Sequence, residues 1–167
     1  MSEGRGPSAD REQSSTAAPG SEQSSTAPSV IDPAIARAVR ATENAWRAVE
    51  SEFGLLSSSE VDTLLGARNG NRAYAADLRK RGELLAALRN NSYVFPGFQF
   101  DHNAGTVRDW VAPLLVLAER YEWDTADVIL WMMSPTTYFE EEDRPVDHVD
   151  DAPRVVDVAE KAWGVEW

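Results

Sequence analysis

The 167-residue chain has room for one modest domain, or for two small ones sharing a core. Its complete lack of cysteine excludes disulfides and thiolate metal sites and fits a reducing compartment. A formal charge of −12 argues against broad non-specific affinity for nucleic acid, because the field of the whole molecule repels phosphate.

In chain order, the first segment, 1–29, contains no Val, Ile, Leu, Phe, Trp or Tyr. It cannot bury enough apolar surface to offset the entropy of ordering, so it reads as a disordered tail, and its twice-occurring EQSSTA reads as slippage within that tail. No basic patch followed by an apolar stretch opens the chain, and no apolar run nears the roughly 18 residues of a membrane span. A cytoplasmic protein without a membrane partner is expected. The first helix is expected over 33–53, with Asp32 as N-cap, Pro33 in the first turn and Gly54 just past the end. Ile35, Val39, Trp46, Val49 and Phe53 recur at helical spacing and predict one buried face.

Ser57-Ser-Ser-Glu60 is a capping box that opens a short helix ending at Gly66. A second short helix is expected over 71–81, with Tyr74, Ala75 and Leu78 inward and Arg72, Arg79 and Arg81 outward. Two short helices joined by a Gly-containing turn, the second of them basic, form a helix-turn-helix pattern. The segment from Arg68 to Arg89 holds six cations against Asp77 and Glu83, whereas acids dominate from Glu119 onward. Screening over about 8 Å lets a local basic patch meet DNA while a distant acidic surface meets something else. Arg68, Asn71, Arg72, Arg79, Lys80 and Arg81 are therefore the expected DNA-contacting residues. The bland alternative is a helical hairpin with a solvated basic face.

Beyond this pair, 84–88 and 93–95 flank Arg89-Asn-Asn-Ser92, and asparagine tolerates the positive φ of a tight hairpin. The aromatic run Tyr93, Phe95, Phe98 and Phe100 lacks interleaved Lys or Arg, so it reads as core and not as a base-stacking platform. Helices are then expected over 107–121, 125–133 and 153–163, with a short turn at 136–140. The expected fold is mainly α: a helix-turn-helix-like region with a small β-hairpin over 30–101, followed by a helical module over 102–167.

Catalysis finds no support in the residues. There is no Gly-rich phosphate loop, no Ser elbow and no Cys nucleophile, and a hydrolase using Asp147 and Asp151 lacks a scaffold. Glu140 to Asp143 scatter around a turn, and His102 and His148 are not at metal-ligand spacing, so neither a cofactor nor a metal is expected.

Three stretches carry a family resemblance. They are LLSSSEVDTLLG (55–66) with RKRGELLA (79–86), then YVFPGFQFD (93–101) with its Pro-x-x-Gln-Phe run, then Trp131-Met-Met-Ser-Pro135, Arg144-Pro145-Val-Asp147 and Val155-Val-Asp-Val-Ala159. In this order they resemble antitoxins of the Xre/MbcA/ParS group, whose usual partners are RES-domain toxins. One departure is that Phe139 and Glu140 to Asp143 stand where the family usually has a Leu and a Gly. The resemblance implies a non-enzymatic protein that blocks the active site of an NAD-depleting toxin, binds its own operator DNA, and forms a homodimer or a larger toxin–antitoxin complex. It places the toxin-contacting surface on Trp131, Pro135, Tyr138, Arg144, Pro145, Asp147, Asp151, Arg154 and Val155, with Trp163 and Trp167 as aromatic anchors. The alternative from a different class is a stand-alone DNA-binding transcriptional regulator without a toxin partner.

Overall fold

The computed structural model describes residues 30–67, 71 and 73–165. The chain divides into two compact units, Met1–Asp32 and Pro33–Trp167. Of the first, only residues 30–32 are described, without regular secondary structure; the tail expected over 1–29 lies outside the described residues.

The second unit corrects the expectation of a mainly helical fold. Among the described residues its six α-helices are accompanied by a three-stranded and a two-stranded antiparallel sheet, which makes the fold mixed α/β. The helices are α1 (Pro33–Phe53), α2 (Ser58–Leu64), α3 (Tyr74–Lys80), α4 (Val111–Arg120), α5 (Thr125–Met132) and α6 (Ala152–Trp163). The strands are β1 (Leu55–Leu56), β2 (Ala87–Arg89), β3 (Ser92–Pro96), β4 (Phe100–Asp101) and β5 (Thr106–Val107). Sheet order is β1-β3-β2, with β4 paired to β5 alone.

Strand β3 explains why the sheet is needed. Alternate side chains of a strand leave opposite faces, so Val94 packs against a large cluster around Trp110, Leu114 and Ile129, while Phe95 enters a smaller one with Val61, Leu78 and Phe100. The expected hairpin is present but shifted: the pairs are Ala87↔Val94, Leu88↔Tyr93 and Arg89↔Ser92, and Asn90 and Asn91 take φ of 49° and 62° in the two-residue turn. Residues 84–86 stay outside the ladder because the fully buried Gln99 side chain occupies the Leu85 backbone. Gln99 Oε1 accepts from Leu85 N–H at 2.7 Å, and its Nε2 donates to the carbonyls of Leu85 (2.9 Å) and Pro96 (3.2 Å).

Helix α1 ends at Gly54, whose φ of +79° suits glycine. Only its C-terminal half meets the core: Trp46 and Val49 are buried, and Phe53 packs edge-on against Phe98 at 5.5 Å. Ile35 and Val39 remain 57% and 58% exposed, so the continuous buried face expected from spacing stops where the helix outruns the core. Helix α4 begins at Val111 and not at 107, because Thr106 and Val107 are drawn into strand β5. No helix among the described residues is long and apolar enough to cross a membrane.

A three-way ion pair ties α1 to the 3-10 turn Pro145–His148. Arg144 donates to both carboxylate oxygens of Glu52 at 2.8 Å and to Asp147 at 2.7 and 3.1 Å. The guanidinium holds the carboxyls of Glu52 and Asp147 below their ordinary values, mainly through these hydrogen bonds. Depressed carboxylates contribute stability above their unfolded values of about 4.5 and 3.8, and lose it as pH falls through the lower folded values. We therefore expect Arg144→Gln to cost about 1 kcal/mol at neutral pH, since the groups are partly solvated, and to flatten the loss of stability below about pH 4.5. Urea titrations at a series of pH values check this.

Candidate functional site

Two surfaces were expected, and the structure places their residues differently. The cationic pair is built as the capping box predicts: Ser57 N–H donates to Glu60 Oε2 at 2.7 Å while Ser57 Oγ accepts from Glu60 N–H. The buried carboxylate of Asp62 accepts from Ala75 N–H at 2.7 Å and locks α2 onto the start of α3. Helix α3 starts at Tyr74, not at 71, and Asn71 Oδ1 is spent on Ala73 N–H at 3.1 Å. Arg79 lies over the Tyr93 ring at 3.8 Å, and Arg81 pairs with Glu83 at 2.8 Å. Lys80 is exposed and has no ion-pair partner among the described residues. Arg68 and Arg72 lie outside the described residues. The hairpin adds little charge, since Arg89 is held by Glu43 at 3.1 Å and lies over Trp46.

The residues expected to contact a toxin fall into three groups. Val155 and Pro145 are core, and Trp163 is only 7% exposed, so the anchoring role expected of it is corrected: α6 turns its apolar stripe of Val155, Val158, Ala159 and Trp163 inward. Arg144 and Asp147 are engaged with each other and with Glu52, and Asp151 caps α6 by accepting from Arg154 N–H. Pro135, Tyr138 and Arg154 are exposed, and Trp131 is half-buried. Trp167 lies outside the described residues.

The exposed group clusters around a loop over 134–144. Its buried centre is Phe139, stacked on His148 at 4.1 Å with Arg154 over the ring at 5.3 Å. His148 Nε2 also meets Asp143 at 3.1 Å. This sandwich turns Tyr138 and the carboxylates of Glu140, Glu141 and Glu142 outward. The other imidazole, His102, meets the Gly97 carbonyl at 3.1 Å, so both histidines hold loops in place.

Beside this loop is a feature missed in the sequence. Trp163 forms the floor of an aromatic layer: Trp123 stacks on it at 4.7 Å and Trp131 meets it edge-on at 5.0 Å. Trp123 and Trp131 then line an open groove of about 480 Å³ together with Tyr121, Glu122, Asp127, Leu130 and Ser134. The signal was the density of large aromatics within 121–131 and at 163. Ser134, which lines the groove, is also the first residue of the acidic loop.

No family model matches the sequence, and no curated protein matches it. Among solved structures, the NMR structure of Rv2175c is similar to this chain, with a TM-score of 0.56 over 91% of this chain and 99% of that one. At 20% identity the likeness is one of fold.

Proposed function

We propose that this chain is the antitoxin of a toxin–antitoxin pair, a non-catalytic cytoplasmic protein that binds a RES-type, NAD-depleting toxin and occludes its active site. The observation that carries the reading is the C-terminal face: a tryptophan-lined groove continuing into a loop that presents Tyr138 and three glutamates without a cation partner among the described residues. A cleft that binds a dinucleotide is basic, and an acidic surface with aromatic contacts complements it in charge and supplies buried area. The arrangement needs neither cofactor nor metal. Trp131, Pro135, Tyr138 and Arg154 are the contacts on this reading; Val155, Pro145 and Trp163 support them from beneath.

Co-purification with the product of the neighbouring gene, together with rescue of growth when that product is expressed, tests the reading. We expect Tyr138→Ala combined with Glu141→Lys to abolish rescue while the chain stays folded, because both side chains are exposed and the new cation opposes the basic cleft. Rescue by the double variant would place the interface elsewhere.

A second reading, a DNA-binding regulator, is favoured by the order β1, α2, α3 and the β2–β3 hairpin, which is that of a helix-turn-helix with a wing. On this reading, Lys80→Ala with Arg81→Ala lowers the salt slope of operator binding by about 0.9 per lost phosphate contact. A gel-shift titration at several salt concentrations with an unchanged slope removes these residues from any DNA contact.

A further inference from the structure

We propose that the tryptophan groove is a receptor for a single cationic side chain, an arginine of the protein partner. This rests on the partner-binding reading and names the chemistry the groove selects. Its lining combines the indoles of Trp123 and Trp131 and the phenol of Tyr121 with the carboxylates of Glu122 and Asp127. Neither carboxylate has a cation partner among the described residues, whereas nearby acids do: Glu160 is paired with Arg120 and Asp157 with Lys161. An apolar side chain would leave these two charges uncompensated, and an anion would be repelled. A planar guanidinium satisfies both surfaces, by stacking against aromatic rings and by hydrogen bonding to carboxylate.

The backbone at Glu122 points the same way. Helix α4 closes with Trp123 N–H donating to the Ala118 carbonyl at 2.8 Å and Glu122 N–H to the Glu119 carbonyl at 3.3 Å. In this closure the residue before Trp123 takes left-handed geometry, and Glu122 does so with φ of +57°. Glycine is the favoured residue at such a position. A glutamate held there places its carboxylate at the rim of the groove at a cost to folding.

The test uses the full chain and two neutralised amino acids, N-acetyl-arginine amide and its uncharged isostere N-acetyl-citrulline amide. The readout is the indole N–H resonances of Trp123 and Trp131. We expect saturable shifts with the arginine probe at a dissociation constant on the order of millimolar, and about ten-fold weaker binding of the citrulline probe. Glu122→Gln with Asp127→Asn should weaken the arginine probe by about five-fold or more. Glu122→Gly should raise the unfolding midpoint and still bind arginine less well, a combination that damage to the fold cannot produce. Equal binding of the two probes, or shifts unaffected by the acid variants, overturns the proposal. A partner captured equally by the chain and by the Gln/Asn variant overturns the groove while leaving the antitoxin reading intact. Arginine binding with no partner captured does the reverse.

Discussion

Replacing Gly97 with alanine is expected to cost about 3 kcal/mol of folding stability or more, seen as a lower urea midpoint at an unchanged slope. A β-carbon at this position would stand 1.9 Å from the Phe53 carbonyl oxygen, less than any non-bonded contact allows. That oxygen belongs to the last turn of α1, and the Gly97 N–H donates to the Gly54 carbonyl at 2.9 Å, so neither backbone can retreat without breaking the join. The clash falls where α1, β1 and β3 meet, and it would separate Phe53 from Phe98 and Trp46 from the core. Gly66→Ala is the control. Gly66 has φ of +66° but open space around its Cα, so its cost should be confined to backbone strain of about 1–2 kcal/mol. Equal costs at the two positions would mean that the close approach at Gly97 is relieved at little expense.

Gln99→Leu is expected to be nearly as damaging, at about 3 kcal/mol. The replacement is similar in volume and more apolar, so burial alone predicts a gain. The side chain, however, is the hydrogen-bonding partner of three backbone groups, the N–H and carbonyl of Leu85 and the carbonyl of Pro96. Each buried backbone group left without a partner costs about 1–3 kcal/mol. Amide exchange at Leu85 gives an independent check, because its N–H should lose protection in the variant beyond the global change. A Gln99→Leu protein as stable as the parent would show that water or a shifted strand satisfies these groups.

These two positions also mark how far the sequence could be read. Local chemistry announced itself: the Ser57/Glu60 box, Gly54 after α1 and the asparagine turn at 90–91 all occur as expected. Each depends on residues a few positions apart. What could not be read depends on distant ones. Strand β1 is two residues long and exists only because Leu55 and Leu56 meet Pro96 and Phe95. Strands β4 and β5 are equally short, and two residues carry no periodicity. The Pro-x-x-Gln-Phe run was visible, but that its glutamine reaches back to Leu85 was not. Helical spacing marked Ile35, Val39 and Trp46 alike as one buried face, yet it cannot say where a core ends: Trp46 lies within it and Ile35 beyond.

The same distinction applies to the site. Tyr138 and Arg154 were identified in the sequence and are accessible, whereas the groove combines Trp123 from the end of one helix turn with Trp131 from α5 over a floor supplied by α6. Aromatic density flagged the region, but only tertiary packing decides which rings become walls and which becomes the floor. Likewise Arg144, placed by its motif at an interface, finds Glu52 across 92 positions of sequence and becomes a brace.

The most direct measurement is the affinity of the purified chain for the toxin encoded beside it, by calorimetry, compared with the Tyr138→Ala/Glu141→Lys variant. Occlusion through the C-terminal face predicts a tight complex whose dissociation constant rises at least about a hundred-fold in the variant, at matched thermal stability. An identical constant for both proteins, or no heat of binding with the unmodified chain, would contradict it.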